Sequence, residues 1–146
     1  MTDKIRCVEI GPDNLDLLLD AEDGLFDYPV KPDQAKAFVN DPKHILFFAL
    51  ADAKPVGFAS AIINLHPDKD PILFVSEVGV MERHQRQGIA TQLMNELTKL
   101  AEAKGCQGLW VATEGDNAPA RALYQSLGGR EIKDVVVYDW GDSGEP

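Results

Sequence analysis

Apolar positions along the chain change period several times, and each change marks an element. Ile5 to Ile10 alternates as a strand does, and Gly11-Pro12 breaks it. Leu15, Leu18 and Leu19 then recur at helical spacing, with Asp13 placed as the cap and Asp16 in the first turn. Asp23 to Lys31 crowds Gly24, Pro29, acids and aromatics together, which predicts a loop or broken helix, and Pro32 to Asn40 fits a short helix. Ile45 to Ala51 and Val56 to Leu65 are apolar runs joined by Asp52-Ala53-Lys54-Pro55, the chemistry of a turn between antiparallel strands. After the polar loop His66 to Pro71, a third run, Ile72 to Val80, completes a meander.

Beyond the meander the period lengthens. Ile89, Leu93, Leu97 and Leu100 share one helical face, with Gln92, Asn95, Glu96 and Lys99 opposite, and Gly105 ends the helix. Gly108 to Thr113 follows as a strand, parallel to Ile72 to Val80 if the helix is an ordinary crossover, which opens a cleft at the strands' carboxyl ends. Asn117 caps a last helix that tolerates Pro119 in its first turn and stops at Gly128-Gly129. Ile132 to Trp140 is expected to form a final strand, with Val135-Val136-Val137 an edge able to pair between chains in a homodimer. The expected order is β-α-α-β-β-β-α-β-α-β, an α/β chain with a mixed sheet. Residues 1–140 form one domain in this reading, and 141–146 a flexible polar tail.

One junction carries chemistry. Between the strand Ile72 to Val80 and the helix from Gly88 lies Arg83-His84-Gln85-Arg86-Gln87-Gly88-Ile89-Ala90-Thr91. Gly88 and Ala90 sit where extended chain turns helical, leaving amides unpaired at the positive end of the helix dipole, an arrangement suited to a pyrophosphate. A tight turn with solvated arginines is the plainer alternative. The preceding strand, the basic pair Arg83 and Arg86, and the hydroxyl of Thr91 together favour the anion.

Composition sharpens the partners. A net charge of -10 argues against nucleic acid and favours cationic ligands, making the arginine-bearing turn a local exception. A chain of 146 residues suits one domain, and no apolar run approaches the roughly 18 residues that mark a membrane span, so a soluble cytoplasmic protein is expected. Cys7 and Cys106 fall inside apolar patterns and are expected as free, core-filling thiols; His44, His66 and His84 show no metal spacing.

Placed after a strand, Gln85-Arg86-Gln87-Gly88-Ile89-Ala90 resembles the Gln/Arg-x-x-Gly-x-Gly/Ala signature of the GCN5-related N-acetyltransferases (GNAT). Asn117 to Gly128 resembles that family's Asn-to-Tyr helix, and the element order agrees from Ile5 to Trp140. The resemblance implies a sheet splayed after the fourth strand with acetyl-CoA in the gap. Its pyrophosphate would lie on Gln85, Arg86, Gln87, Gly88, Ile89, Ala90 and Thr91, its pantetheine arm along Val78, Gly79 and Val80, with Asn117 also on the cofactor side. A bulge would free amides there to polarise the thioester; Gly79 fits either that bulge or plain packing. A narrower resemblance, through Ile5 to Leu17, Phe26-Asp27, Glu77 and Gly128 to Glu131, is to aminoglycoside 3-N-acetyltransferases of this fold, in which an aspartate stands where Glu77 does. The spacing beyond Glu131 departs from those enzymes.

Acyl transfer to an amine needs a proton acceptor, a polarised carbonyl and a proton for the departing thiolate. Glu77 is the candidate base, directly or through water, against the plainer reading of an outward cross-strand glutamate. Tyr124, two turns along the helix from Asn117, is the candidate acid, against that of a core aromatic beside Leu123 and Leu127. Asp27, Glu77, Glu114 and Asp139 are the expected contacts to a cationic acceptor. With no cysteine fit to carry acetyl, direct attack in a ternary complex is expected, and no metal. Alternatives are a GNAT enzyme acting on a polyamine, amino acid or protein N-terminus, and an acyl-CoA-binding module without turnover.

Overall fold

Five of the apolar runs hydrogen-bond into one sheet in the computed structural model, which describes residues 4–141. They are β1 (Ile5–Glu9), β2 (His44–Ala51), β3 (Lys54–Asn64), β4 (Ile72–Val80) and β5 (Gly108–Val111). Sequential neighbours pair antiparallel from β1 to β4, and β4 pairs parallel with β5, the mixed sheet of an α/β fold. Helices α1 (Leu15–Leu19) and α2 (Pro32–Val39) precede β2, and α3 (Ile89–Ala103) links β4 to β5. The chain divides into two compact units, residues 1–112 and 113–146, and the second carries α4 (Ala118–Ser126).

The core of the first unit lies between sheet and helices. Helix α3 packs on the sheet with Ile89, Leu93, Met94, Leu97, Leu100 and Ala101 buried, a stripe that the 3.6-residue period explains. β2 is buried along its whole length after His44, because α3 and α2 both contact it, so its side chains do not alternate between core and water. The β2–β3 turn has Asp52 and Ala53 both at positive φ, 49° and 67°, the twist that a tight hairpin requires.

Strand β4 is irregular on both of its sides. It pairs with β5 only from Ile72 to Val75, so among the described residues Ser76 to Val80 run on beyond β5 with no strand on that side, as the expected splay requires. On the other side its register with β3 slips by one residue, Ser60 facing Glu77 and Ala61 facing Val75, leaving Ser76 as the extra residue of a bulge.

Two expectations about local structure are corrected. Residues 132–140 form no strand: β-propensity without a ladder partner makes no strand, and Asp134 at φ 64° interrupts the extension. The cap before α1 is not Asp13, which lies in a 3-10 turn (Pro12–Asn14). Asn14 closes that turn, its Oδ1 accepting from Gly11 N–H at 2.7 Å and its Nδ2 donating to Glu9 C=O at 3.0 Å. Residues Asp23 to Lys31 take the first of their two expected forms, a loop without helix. Of the expected tail, 142–146 lie outside the described residues.

Candidate active site

The strand-to-helix turn is built from two left-handed residues. After a 3-10 turn (Glu82–His84) the chain extends at Gln85, then Arg86 takes φ 65° and Gly88, the N-cap of α3, φ 78°. The first main-chain bond of the helix runs from Gln92 N–H to Gly88 C=O at 3.1 Å, so the amides of Ile89, Ala90 and Thr91 precede any intrahelical acceptor. A Cβ on Gly88 would meet nothing within 4 Å. Gln85, expected on the cofactor side, also makes a contact within the turn. Its Nε2 donates to Val80 C=O at 3.1 Å and ties the turn to the end of β4.

Arg83, expected beside the anion, is engaged elsewhere. It donates to Glu22 Oε2 at 2.8 Å and holds the Glu22 carboxyl below its ordinary range. Arg86 is exposed and remains the basic side chain of the turn itself. A shallow depression lined by Gly24, Met81, Glu82 and Arg83 borders this start of the turn.

The free edge of β4 leads from this turn to Glu77. Met81 N–H donates to Val56 C=O of β3 at 2.8 Å, so strand alternation turns the main-chain groups of Val80 and Val78 toward the unpaired edge and those of Gly79 toward β3. The bulge is at Ser76 and Gly79 is a packing glycine: a Cβ there would lie 2.7 Å from Phe58 Cε1. Glu77 is pushed above the ordinary carboxyl range first by burial and then by the Asp27 carboxylate, so the fold brings together two residues 50 positions apart in sequence. Phe26, beside Asp27, carried no expected role; an apolar Leu25-Phe26 pair inside an acidic loop was the available signal.

The other expected residues belong to the second unit. Asn117 caps α4, its Oδ1 accepting from Ala120 N–H at 3.1 Å, and its N–H donates to Glu114 C=O at 3.0 Å. Tyr124 sits part-buried on α4, and burial pushes its phenol up, keeping it protonated. Arg121 grips Glu131 Oε1 through Nε and Nη2 at 3.0 and 2.8 Å and Gly115 C=O through Nη1 at 2.8 Å, fixing both ends of α4. Glu114 and Asp139 are exposed.

Residues 13–129 match the model of the acetyltransferase (GNAT) family, a span that contains both the turn and α4. The chain belongs to this family. Aminoglycoside N(6')-acetyltransferase type 1 of Serratia marcescens is 28% identical over 134 residues, covering 86% of this chain and 92% of that protein. Ribosomal protein bS18-alanine N-acetyltransferase of Escherichia coli (strain K12) is 39% identical over 54 residues, 37% of this chain and 36% of that protein. Among solved structures, an aminoglycoside acetyltransferase from an uncultured soil metagenomic sample superposes with a TM-score of 0.82 at 23% identity, covering 96% of this chain and 99% of the other. AAC(6')-Iy in complex with a bisubstrate analogue, CoA-S-monomethyl-acetylneamine, gives 0.80 at 21% identity, covering 94% and 99%. At these identities the structures establish the fold.

A GNAT acetyltransferase takes its acetyl group from acetyl-CoA, and the turn of this chain fits that cofactor. The amides of the first turn of α3 are open, no side chain occupies the space over Gly88, and the edge of β4 beside it is unpaired. Bound there, acetyl-CoA supplies the activated acetyl group.

Proposed function

We propose that this enzyme acetylates an aminoglycoside, with the 6'-amine as acceptor. The observation that carries the cationic acceptor is the raised Glu77 carboxyl, which feels first its burial and then the charge of Asp27, on the part of β4 that runs beyond β5. Two ammonium groups of a polyamine sugar are natural counterions for two such carboxyl groups. The relative of matching length acts at the 6' position, which favours that nitrogen over the 3-amine expected from the sequence. The shorter match to an enzyme acetylating a ribosomal protein's alanine supports a protein N-terminus as the alternative acceptor.

Glu77, raised by its surroundings, would take a proton from the acceptor ammonium; the freed nitrogen would then attack the thioester carbonyl, the N–C bond forming as the C–S bond breaks, and the nitrogen's second proton would replace the one that Tyr124 gives up. Amides at the Val78 and Val80 edge polarise that carbonyl, and Tyr124 gives its proton to the leaving thiolate. Asp27, Glu114 and Asp139 hold further ammonium groups, while Gln87, Gly88, Ile89, Ala90 and Thr91 face the pyrophosphate with Arg86. Attack is direct: burial raises both Cys7 and Cys106, the opposite of what an acyl-carrying thiolate needs. We place the enzyme in the cytoplasm, where acetyl-CoA is made available, with residues 1–140 acting as one domain.

A second copy of the chain is proposed to cover residues 132–140. Val135, Val136, Val137 and Tyr138 are consecutive and all exposed, so both faces of this run need cover, and the chain also offers an edge strand, β5, with Trp110 half exposed. Arm and receiving edge on one chain permit a reciprocal two-fold pair.

The deciding experiment measures free-thiol release from acetyl-CoA with aminoglycosides bearing or lacking a 6'-amine, linear polyamines and alanine-terminated peptides, followed by NMR of the product. Turnover confined to 6'-amino compounds is expected. Turnover of polyamines or peptides alone would replace the acceptor, and cofactor binding without turnover on any amine would leave only a binding module.

A further inference from the structure

The loop between α1 and α2 has no regular structure, yet its middle is anchored. Leu25 is 5% exposed, and the Phe26 ring lies 4.4 Å from that of Phe58 and 6.1 Å from that of Phe48, centroid to centroid. Phe58 is itself seated by β4. Its cross-strand partner is Gly79, and the Phe58 ring occupies the place where a side chain at 79 would begin. A continuous line of contact therefore runs from Phe26 through the tilted Phe58 ring to Gly79. One end lies next to Asp27 in the chain, the other two residues from Glu77.

We propose that Phe26 is a positioning residue, which by packing its ring on Phe58 over Gly79 fixes the Asp27 end of the loop against the stretch of β4 that carries Glu77. The inference rests on the reading of Glu77 as the candidate base and explains how an irregular loop delivers a charge to a strand. Aromatic contact of this kind is directional and costs little side-chain entropy, which suits a loop with no main-chain ladder of its own. The groups facing Glu77 are few. Asp27 is the charge that acts on it, and Ser60, across on β3, is neutral.

A plain core plug is the competing role, and the two differ in what they do to Glu77. The Glu77 carboxyl is titrated by carbon-detected NMR, alongside the acid limb of kcat/KM, in the wild type, Phe26→Ala, Asp27→Asn and the double variant. Phe26→Ala and Asp27→Asn are each expected to move the Glu77 midpoint to lower pH, the double variant no further than Asp27→Asn alone, and Phe26→Tyr to restore it. Phe26→Leu serves the same comparison if the alanine variant does not fold. A midpoint unmoved by loss of the ring, or moved equally when Asp27 is already neutral, overturns the proposal. Absence of wild-type turnover would instead sink the assignment of Glu77 as base, since the NMR comparison needs no acceptor.

Discussion

Glu77 concentrates the conflict between stability and chemistry in one side chain. Its folded pKa lies above its ordinary value, so between the two values the native state binds more protons than the unfolded chain. That contribution favours the fold at low pH and is lost as pH rises through the folded pKa. Glu77→Gln is therefore expected to leave the melting temperature at neutral pH equal or higher while lowering kcat/KM by roughly 10²-fold or more. A clear drop in melting temperature with activity intact would reassign the residue to structure. Tyr124 has the opposite economy, because burial that raises a phenol keeps its proton available. Tyr124→Phe should lower kcat by about tenfold or more and leave the affinity for coenzyme A within about twofold, measured by calorimetry. Which residues carry titratable groups was legible in the sequence. That Asp27 would act on Glu77 was not, because their approach depends on Phe26 packing across β3.

Among the elements, β4 and the turn after it are where the proposed cofactor half is tested. Gly88 at φ 78° is the residue type an L side chain replaces poorly, and nothing crowds the space over it. Gly88→Ala is expected to cost about 1 kcal/mol of stability, with weaker coenzyme A binding as the larger effect because the new methyl group enters the open space above the amides. Equal loss of stability and no change in binding would mean that the phosphates lie elsewhere. The turn was readable because glycine and apolar periodicity report local backbone geometry. The bulge at Ser76 was not: a one-residue slip in register is decided by the partner strand, and Gly79, the residue that invited a bulge, is small because Phe58 needs its place. Asn14 replacing Asp13 as the closing side chain is the same lesson within one turn, since both residue types can cap and only the chain's exit from β1 selects between them.

For the whole molecule, the exposed apolar run near the C-terminus makes an expectation about assembly. Val136 is 75% and Trp140 82% exposed, an apolar surface that water disfavours. Light scattering should report a dimer, and Val136→Lys with Tyr138→Lys should give a monomer; a wild type that stays monomeric at micromolar concentration removes the second copy. Sequence alone determined the order of elements through α4, the glycine turn that starts α3 and the family, since each depends on period, caps and glycine within short windows of chain. Tertiary structure decided what depends on distant partners: which carboxylates share a field, that Arg83 pairs with Glu22, where β4 bulges, and that residues 132–140, strand-like in composition, form no strand. A strand exists only where a neighbour accepts its hydrogen bonds, and no local pattern can supply that neighbour.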